Sequence, residues 1–399
     1  MPRLHPAWLV ILGGVCAALH VGKLPPAIPV LREALGISLV EAGFLLSLVQ
    51  LAGMALGLPV GLAADGLGLK RTMVVGLSIV GLASMAGGFM QALPALFVLR
   101  GLEGLGFLLA SMPAPGLIRR LVQHERTSAM LGVWGAYMPF ATAAALLLGP
   151  AFIAAAGWPG WWQSLGLLSL GAAVLLAWRL PPDPLRRSEL QGVGWVGRLR
   201  WTLASPGPWL VALTFAVYSA QWLAVIGFLP SLYGELGLPM RWAAVATASA
   251  AAVNMAGNIA SGRLLQQGVR PQALLYVGFA TMGVATIVAF APLPGQNMAA
   301  VAGVRYAAIL VFSAVGGLIP GTLFSLAVRL APGESTVSTT VGWMQQWSAL
   351  GQLLGPPAMA WIATVTGGWQ GSWWLTAGCA CAGLLLAWAA GRTLREHAP

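Results

Sequence analysis

The feature that most constrains this chain is a recurrence. Apolar runs of about twenty residues appear twelve times, and ionisable residues are kept almost entirely to the gaps between them. A helix of that length is about 30 Å long, which matches the hydrocarbon thickness of a bilayer. The runs fall at 8–30, 39–62, 72–92, 94–118, 127–153, 161–179, 208–232, 242–265, 271–291, 299–328, 336–365 and 372–391. With 58% hydrophobic and 8% charged residues, no water-soluble core could hide this much apolar surface, so lipid is the remaining solvent. Lipid offers backbone groups no hydrogen bonds, and helices satisfy their own. The expectation is an all-α membrane protein with twelve transmembrane helices.

The net charge of +11 would suggest nucleic acid in a soluble protein, but here the cations sit in short gaps between apolar runs. They read as topology signals, and no nucleic-acid partner is expected. Arg3, Lys70, Arg71, Arg119, Arg120, Arg126, the arginines of 179–200, Arg263, Arg270, Arg329, Arg392 and Arg395 all fall on one side, against Arg32 and Arg241 on the other. The positive-inside rule makes the first side cytoplasmic, with both termini there, as for a protein of a bacterial inner membrane. The first run carries His20 and Lys23 and continues into PPAIP, so it reads as a retained span and not a cleaved signal. Cys16, Cys379 and Cys381 lie inside apolar runs without disulfide or zinc spacing and read as small packing residues. No metal or other cofactor is expected.

The longest polar stretch, 179–200, contains prolines and arginines and no spanning run. It divides the chain into an N-terminal bundle at 1–180, a cytoplasmic linker at 181–207 and a C-terminal bundle at 208–399. The halves repeat each other. Arg100 and Pro115-Gly116 recur as Arg305 and Pro320-Gly321 at an offset of 205, Gly149-Pro150 as Gly355-Pro356 at 206, Glu125 and Trp134 as Glu334 and Trp343 at 209, and Gly61 as Gly262 at 201. Parallel repeats of this kind are a hallmark of secondary transporters. In this register Gln266 stands opposite Asp65, so the second copy of that turn lacks the acid.

The turn itself, GLPVGLAADGLGLKR at 57–71, ends an apolar run in glycines, one acid and two cations. Gly57 and Gly61, one helical turn apart, offer a smooth face for a neighbouring helix. Gly66 and Gly68 permit a tight reversal, and Asp65 can cap the next helix or pair with a cation. Gly61, Asp65, Gly68 and Lys70, followed by Arg71, resemble the loop between the second and third helices of the major facilitator superfamily, although Ala63, Gly66 and Leu69 depart from that pattern. VLRGLEGLGFLLA resembles the family's fourth-helix pattern through Arg100, Gly104 and Gly106, with Glu103 where Gln is usual. The fifth run keeps Gly149-Pro150 but lacks the full drug/proton antiporter pattern. Over the first 150 residues the chain is similar to the cyanate and nitroimidazole transporter branch. The resemblance implies two pseudo-symmetric six-helix bundles, alternating access, a monomer, and a turn at 57–71 that acts as a conformational switch.

Inside the spans the informative residues are His20, Lys23, Arg100, Glu103 and Arg305. Helix rise places Lys23, Arg100 and Arg305 at one depth, with His20 and Glu103 about one turn nearer the midplane. Arg305 has no acid in its own helix and needs a carbonyl, a ligand or a partner from another helix. Three cations against one acid favour a small polar or anionic solute, with Arg305 binding its negative group and Lys23 assisting. Tyr137, Tyr218, Gln221, Asn254 and Gln346 add polar groups to the spans expected to line the cavity. Glu103, the one deeply placed acid, is the candidate for proton coupling. Trp158, Trp161, Trp162, Trp373 and Trp374 read as an interfacial aromatic belt. The rival readings are a proton-coupled exporter of hydrophobic drugs and, from a different class, a membrane receptor or enzyme. The last is disfavoured by the lack of a nucleophile and base pair or a signalling domain. If Asp65 holds a latch between the two states, Asp65→Asn should insert normally yet transport more slowly. Transport assays on vesicles would detect this, and a parental rate would contradict it.

Overall fold

The computed structural model describes residues 5–123, 130, 133–183, 195–292, 298–333 and 336–396, with backbone alone at 61–67, 195, 298–299, 338 and 394–396. Among the described residues twelve spans are present. Ten apolar helices are long enough to cross a membrane: Pro6–Leu35, Leu39–Val60, Leu69–Gly87, Leu93–Leu121, Tyr137–Arg179, Pro206–Glu235, Met240–Gln266, Pro271–Phe290, Ala300–Arg329 and Trp369–Thr393. Tyr137–Arg179, 43 residues long, holds two of the spans, because Gly157 at φ 71 breaks it between the fifth and the sixth. Val337–Val365, with 29 residues, is the eleventh. The expected spans therefore reappear within a few residues of their ends. The expected start of the fifth, at 127, falls mostly outside the described residues, as do Glu125 and Glu334.

Several spans are broken where the sequence requires it. Pro25 and Pro26 lack N–H groups and interrupt the first span with a 3-10 turn at Pro25–Ala27. In the second span a 3-10 turn at Leu48–Gln50 separates Leu39–Ser47 from Leu51–Leu67. The eighth span breaks at Val253, and the tenth breaks between Gly316 and Leu318. Such breaks expose backbone carbonyls inside the bundles, where side chains can use them.

Within the first bundle, the third span packs on the fourth and the sixth, and the first span packs on the Tyr137–Arg179 helix. Close approach depends on glycine. A Cβ on Gly106 would lie 2.5 Å from the Val80 nitrogen, and one on Gly76 would lie 2.7 Å from the Gly106 carbonyl. In the second bundle the seventh span packs on the eleventh and twelfth, and the ninth packs on the tenth and twelfth. The halves meet mainly where the second span packs on the eleventh and Met240–Ala252 packs on the Tyr137–Arg179 helix, with a smaller contact between the 25–35 end of the first span and the seventh. On the first of these, Gly57 faces Gln346, with 3.5 Å from its would-be Cβ to the Gln346 Cβ, and Gly53 faces Ala349 at 3.1 Å. The smooth face expected at Gly57 is thus in use, whereas the side chains of 61–67 are outside the described residues.

The reversal after the second span differs from the expectation. The helix runs through Gly66 to Leu67, and the next begins at Leu69, so Gly68 (φ 89, ψ 124) makes the turn alone. The stretch after the sixth span also holds a short helix, Trp195–Ala204, where no spanning run was expected, and 184–194 lie outside the described residues. Cys16 is buried as expected of a packing residue, but Cys381 is exposed on the outer face of the last span.

Gly106→Val should force the third and fourth spans apart and cost roughly 1–3 kcal/mol or more, as overpacking does. Gly262, which has nothing within 4 Å of a would-be Cβ, should accept Ala without loss. Thermal unfolding of the detergent-solubilised variants separates the two outcomes.

Candidate functional site

Four of the ionisable residues found in the sequence meet in one cluster inside the first bundle. His20, Lys23, Arg100 and Glu103 are all at most 1% exposed. Glu103 is shared. Its Oε1 accepts from Lys23 Nζ at 2.5 Å, and its Oε2 accepts from Arg100 Nη1 three residues earlier on the same helix. The Lys23 ammonium also donates to Ser84 Oγ at 2.8 Å and reaches His20 Nδ1 at 3.4 Å, and it sits 4.4 Å from the centre of the Trp162 ring. An ammonium has donors only, so His20 Nδ1 must be the acceptor. Nε2 then carries the hydrogen, which it donates to Ser169 Oγ at 2.8 Å. This assignment leaves the imidazole neutral and the cluster with one positive charge in excess.

The broken spans supply the remaining partners. Arg100 Nη1 donates to the His20 carbonyl at 2.9 Å, just before the Pro25-Pro26 interruption, and Nε donates to the Leu45 carbonyl at 3.0 Å, just before the Leu48–Gln50 turn. Gly104 lets the fourth span reach that break, since a Cβ there would run into the Val49 carbonyl. Trp161 Nε1 donates to the Lys23 carbonyl at 3.1 Å, and Ser84 Oγ donates to the Trp162 carbonyl at 2.8 Å. Arg100 Nη2 is buried and has no hydrogen-bond partner among the described residues.

This arrangement corrects two expectations. Lys23 does not work beside Arg305, because its three donors are taken by Glu103, Ser84 and His20. Arg305 instead donates from Nη2 to the Ala291 carbonyl at 3.2 Å, at the end of the ninth span. Of the partners left open for Arg305, the structure supplies a carbonyl. Trp158, Trp161 and Trp162 are not belt residues, being 6%, 5% and 2% exposed, and the last two close the cluster around Lys23. Trp374, 62% exposed, does face outward. Spacing from the span ends could not separate these cases, because the Gly157 break carries the sixth span's tryptophans inward.

The other candidates lie apart from this cluster. Asn254 Nδ2 donates to Tyr218 Oη at 3.0 Å and to the Ser313 carbonyl at 2.9 Å, which joins the seventh, eighth and tenth spans. Tyr137 stacks on Trp134 with ring centres 4.1 Å apart. Gln346 accepts from the Leu58 N–H at 3.2 Å across the seam between the halves, and Gln50 donates to Gln352 nearby at 2.9 Å. Gln221 is fully buried, and neither end of its amide has a partner among the described residues.

At the basic end, sequence reasoning missed Asp183. Its carboxylate accepts from the backbone N–H groups of Lys70 and Arg71 at 3.1 and 3.0 Å, capping the third span, and from Arg120 Nη1 at 2.9 Å. The capping foreseen for an aspartate in this turn is thus carried by Asp183, while the Asp65 side chain is outside the described residues. A side chain at position 68 would meet the Asp183 carboxylate, a second reason for glycine there. Partial burial raises the Asp183 pKa, but the two N–H groups and the Arg120 guanidinium outweigh it and hold the carboxyl below the usual range. A lone acid between prolines, directly after a span and facing a basic loop, was the available signal.

Comparison with known proteins fits this geometry. The description of the Major Facilitator Superfamily matches residues 10–349. The chain belongs to the major facilitator superfamily. It is an integral membrane protein, and its family and fold are those of transporters of small-molecule solutes, not enzymes. The methyl viologen resistance protein SmvA of Salmonella typhimurium is 26% identical over 375 residues, covering 86% of this chain and 70% of that one. The 4-hydroxybenzoate transporter PcaK of Pseudomonas aeruginosa is 29% identical over 409 residues, covering 92% and 87%. The cyanate transport protein CynX of Escherichia coli is 25% identical over 227 residues, covering 54% and 55%, and does not stand out from the other superfamily relatives. A bacterial homologue of the human lysosomal transporter Spinster shares the fold, with a TM-score of 0.82 at 16% identity and 99% coverage of both chains.

Asp183→Asn should lower stability by about 1 kcal/mol, the usual worth of an N-terminal cap. Because the folded pKa is depressed, the contribution is complete above the ordinary aspartate range and is lost as pH falls through the folded value. Unfolding profiles of parent and variant should therefore differ at neutral pH and converge in strong acid.

Proposed function

We propose that the protein is a secondary transporter of small organic anions, coupled to protons through Glu103 and working by alternating access. The observation that carries this reading is the buried cluster of two cations and one carboxylate, positive by one charge, with a spare N–H on Arg100. Protonating Glu103 would remove the charge that holds Lys23 and Arg100. The freed cations would then attract an anion, so proton and solute would bind together. At an effective dielectric of 20 a charge pair 4 Å apart is worth about 4 kcal/mol, enough to make binding strongly dependent on the state of Glu103.

Relatives supply consistent chemistry. They include transporters described for 4-hydroxybenzoate, sulfoacetate, monocarboxylates and cyanate. The resemblance of the first 150 residues to the cyanate and nitroimidazole branch supports the same solute class. Tyr218 and Asn254 would add polar contacts from the second bundle. The placement of the cations supports a bacterial inner-membrane protein with both termini in the cytoplasm. A second reading, export of drugs, is favoured by the match to SmvA over most of the chain. Against it, a cluster with excess positive charge repels a cation such as methyl viologen.

The test is a thermal-shift screen with 4-hydroxybenzoate, sulfoacetate, cyanate and methyl viologen, followed by uptake into proteoliposomes under a pH gradient. A ligand that binds the folded state alone must raise apparent stability. Anions should stabilise the protein and methyl viologen should not; the reverse would favour export. Glu103→Gln, which imitates the protonated acid, should keep anion binding and lose gradient dependence. Unchanged gradient-driven uptake in that variant would make the cluster a structural element.

A further inference from the structure

The second copy of the fourth-helix pattern has kept its cation and lost its acid. The offset of 205 that pairs Arg100 with Arg305 also pairs Glu103 with Ala308. Ala308 lines a groove of about 500 Å³ on the lipid-facing side of the ninth and tenth spans, together with Ala280, Val284, Val288, Val304 and Val311. This groove is open and apolar, and the valines at its rim, Val284 and Val304, are 63% and 50% exposed. It extends from Ala280 to Val288 along the ninth span, eight helical steps or about 12 Å.

Arg305 stands at one end of this groove. It precedes Ala308 by three residues, so both share a helix face. Its Nη2 is bonded to the Ala291 carbonyl, three residues beyond the groove residue Val288. Its Nε is buried and has no partner among the described residues. Counted from Ala300, the guanidinium lies about 8 Å inside the span, a depth from which a long side chain reaches the headgroup layer. An apolar trough ending in an incompletely satisfied cation matches one kind of molecule already present in the bilayer.

We infer that this groove is a site for an anionic phospholipid, with one acyl chain between the ninth and tenth spans and the phosphate on Arg305. The lipid phosphate thus supplies the negative charge that Glu103 supplies to Arg100 in the first copy. A guanidinium suits this partner because its fork can give a phosphate oxygen a direct N–H bond while another N–H stays on Ala291. The site lies on the outer surface of the second bundle and does not depend on which solute is carried.

The test uses the full chain, equilibrated with equal amounts of phosphatidylglycerol and phosphatidylcholine of matched acyl chains and examined by native mass spectrometry. The parent should retain phosphatidylglycerol over phosphatidylcholine by about fivefold, the effect of one cation on an anionic lipid. Arg305→Gln should abolish the preference and Arg305→Lys should keep part of it, while Val284→Trp, which fills the groove, should lower retention of both lipids. Equal retention of the two lipids by the parent, or a preference surviving Arg305→Gln, would overturn the assignment. If Arg305→Gln does not fold, Val284→Trp decides, and undiminished phosphatidylglycerol retention with the groove filled would overturn it.

Discussion

The first bundle depends on one carboxylate. Glu103 sits where water does not reach and is held from two sides by Lys23 and Arg100. Without it, two buried cations would face each other at a cost of several kcal/mol, and removing either cation would leave a similar deficit. The surrounding structure follows from keeping these three groups satisfied. The breaks in spans 1 and 2 leave the carbonyls of His20, Lys23 and Leu45 free to accept from Arg100 and Trp161. Gly104 is bare so that the fourth span can carry Arg100 up to them, and the sixth span turns at Gly157 so that Trp161 and Trp162 can close over Lys23.

The two copies of the repeat solve the same problem differently. In the first, the arginine is turned inward and its charge is balanced by protein. In the second, Arg305 is turned toward the ninth span, and its partner among the described residues is the carbonyl of Ala291. An acid in one copy and alanine in the other accompany an arginine that is buried in the first bundle and only partly buried in the second. Pseudo-symmetry of backbone therefore carries no guarantee of symmetry in charge.

Much of the fold was legible because hydrophobicity over twenty residues is a signal summed over many side chains, and small local errors cancel. The cluster was legible in part: His20, Lys23, Arg100 and Glu103 stand out as ionisable residues in apolar runs. Their partners do not. Ser84 and Ser169 are ordinary small residues in spans, and Trp161 and Trp162 look like belt residues until the backbone angle at Gly157 is known. Depth along a helix can be counted from sequence, but azimuth cannot once a span is kinked, so Lys23 and Arg305 share an expected level yet take different partners. Asp183 was hidden for another reason, since its partners Lys70, Arg71 and Arg120 lie 63 to 113 residues away in sequence, on other elements.

The seam between the second and eleventh spans is joined by neutral groups: the Gln50 and Gln352 amides, and Gln346 on the Leu58 N–H. Bonds of this kind are worth about 1 kcal/mol each and carry no net charge for counterions to screen. The Asp183 and Arg120 pair at the basic end is ionic and partly open to solvent. Dissolved salt therefore acts on the two regions unequally. Raising the ionic strength loosens the brace at the basic end and leaves this seam as it was, so the protein can be softened at one end without its halves being released from each other.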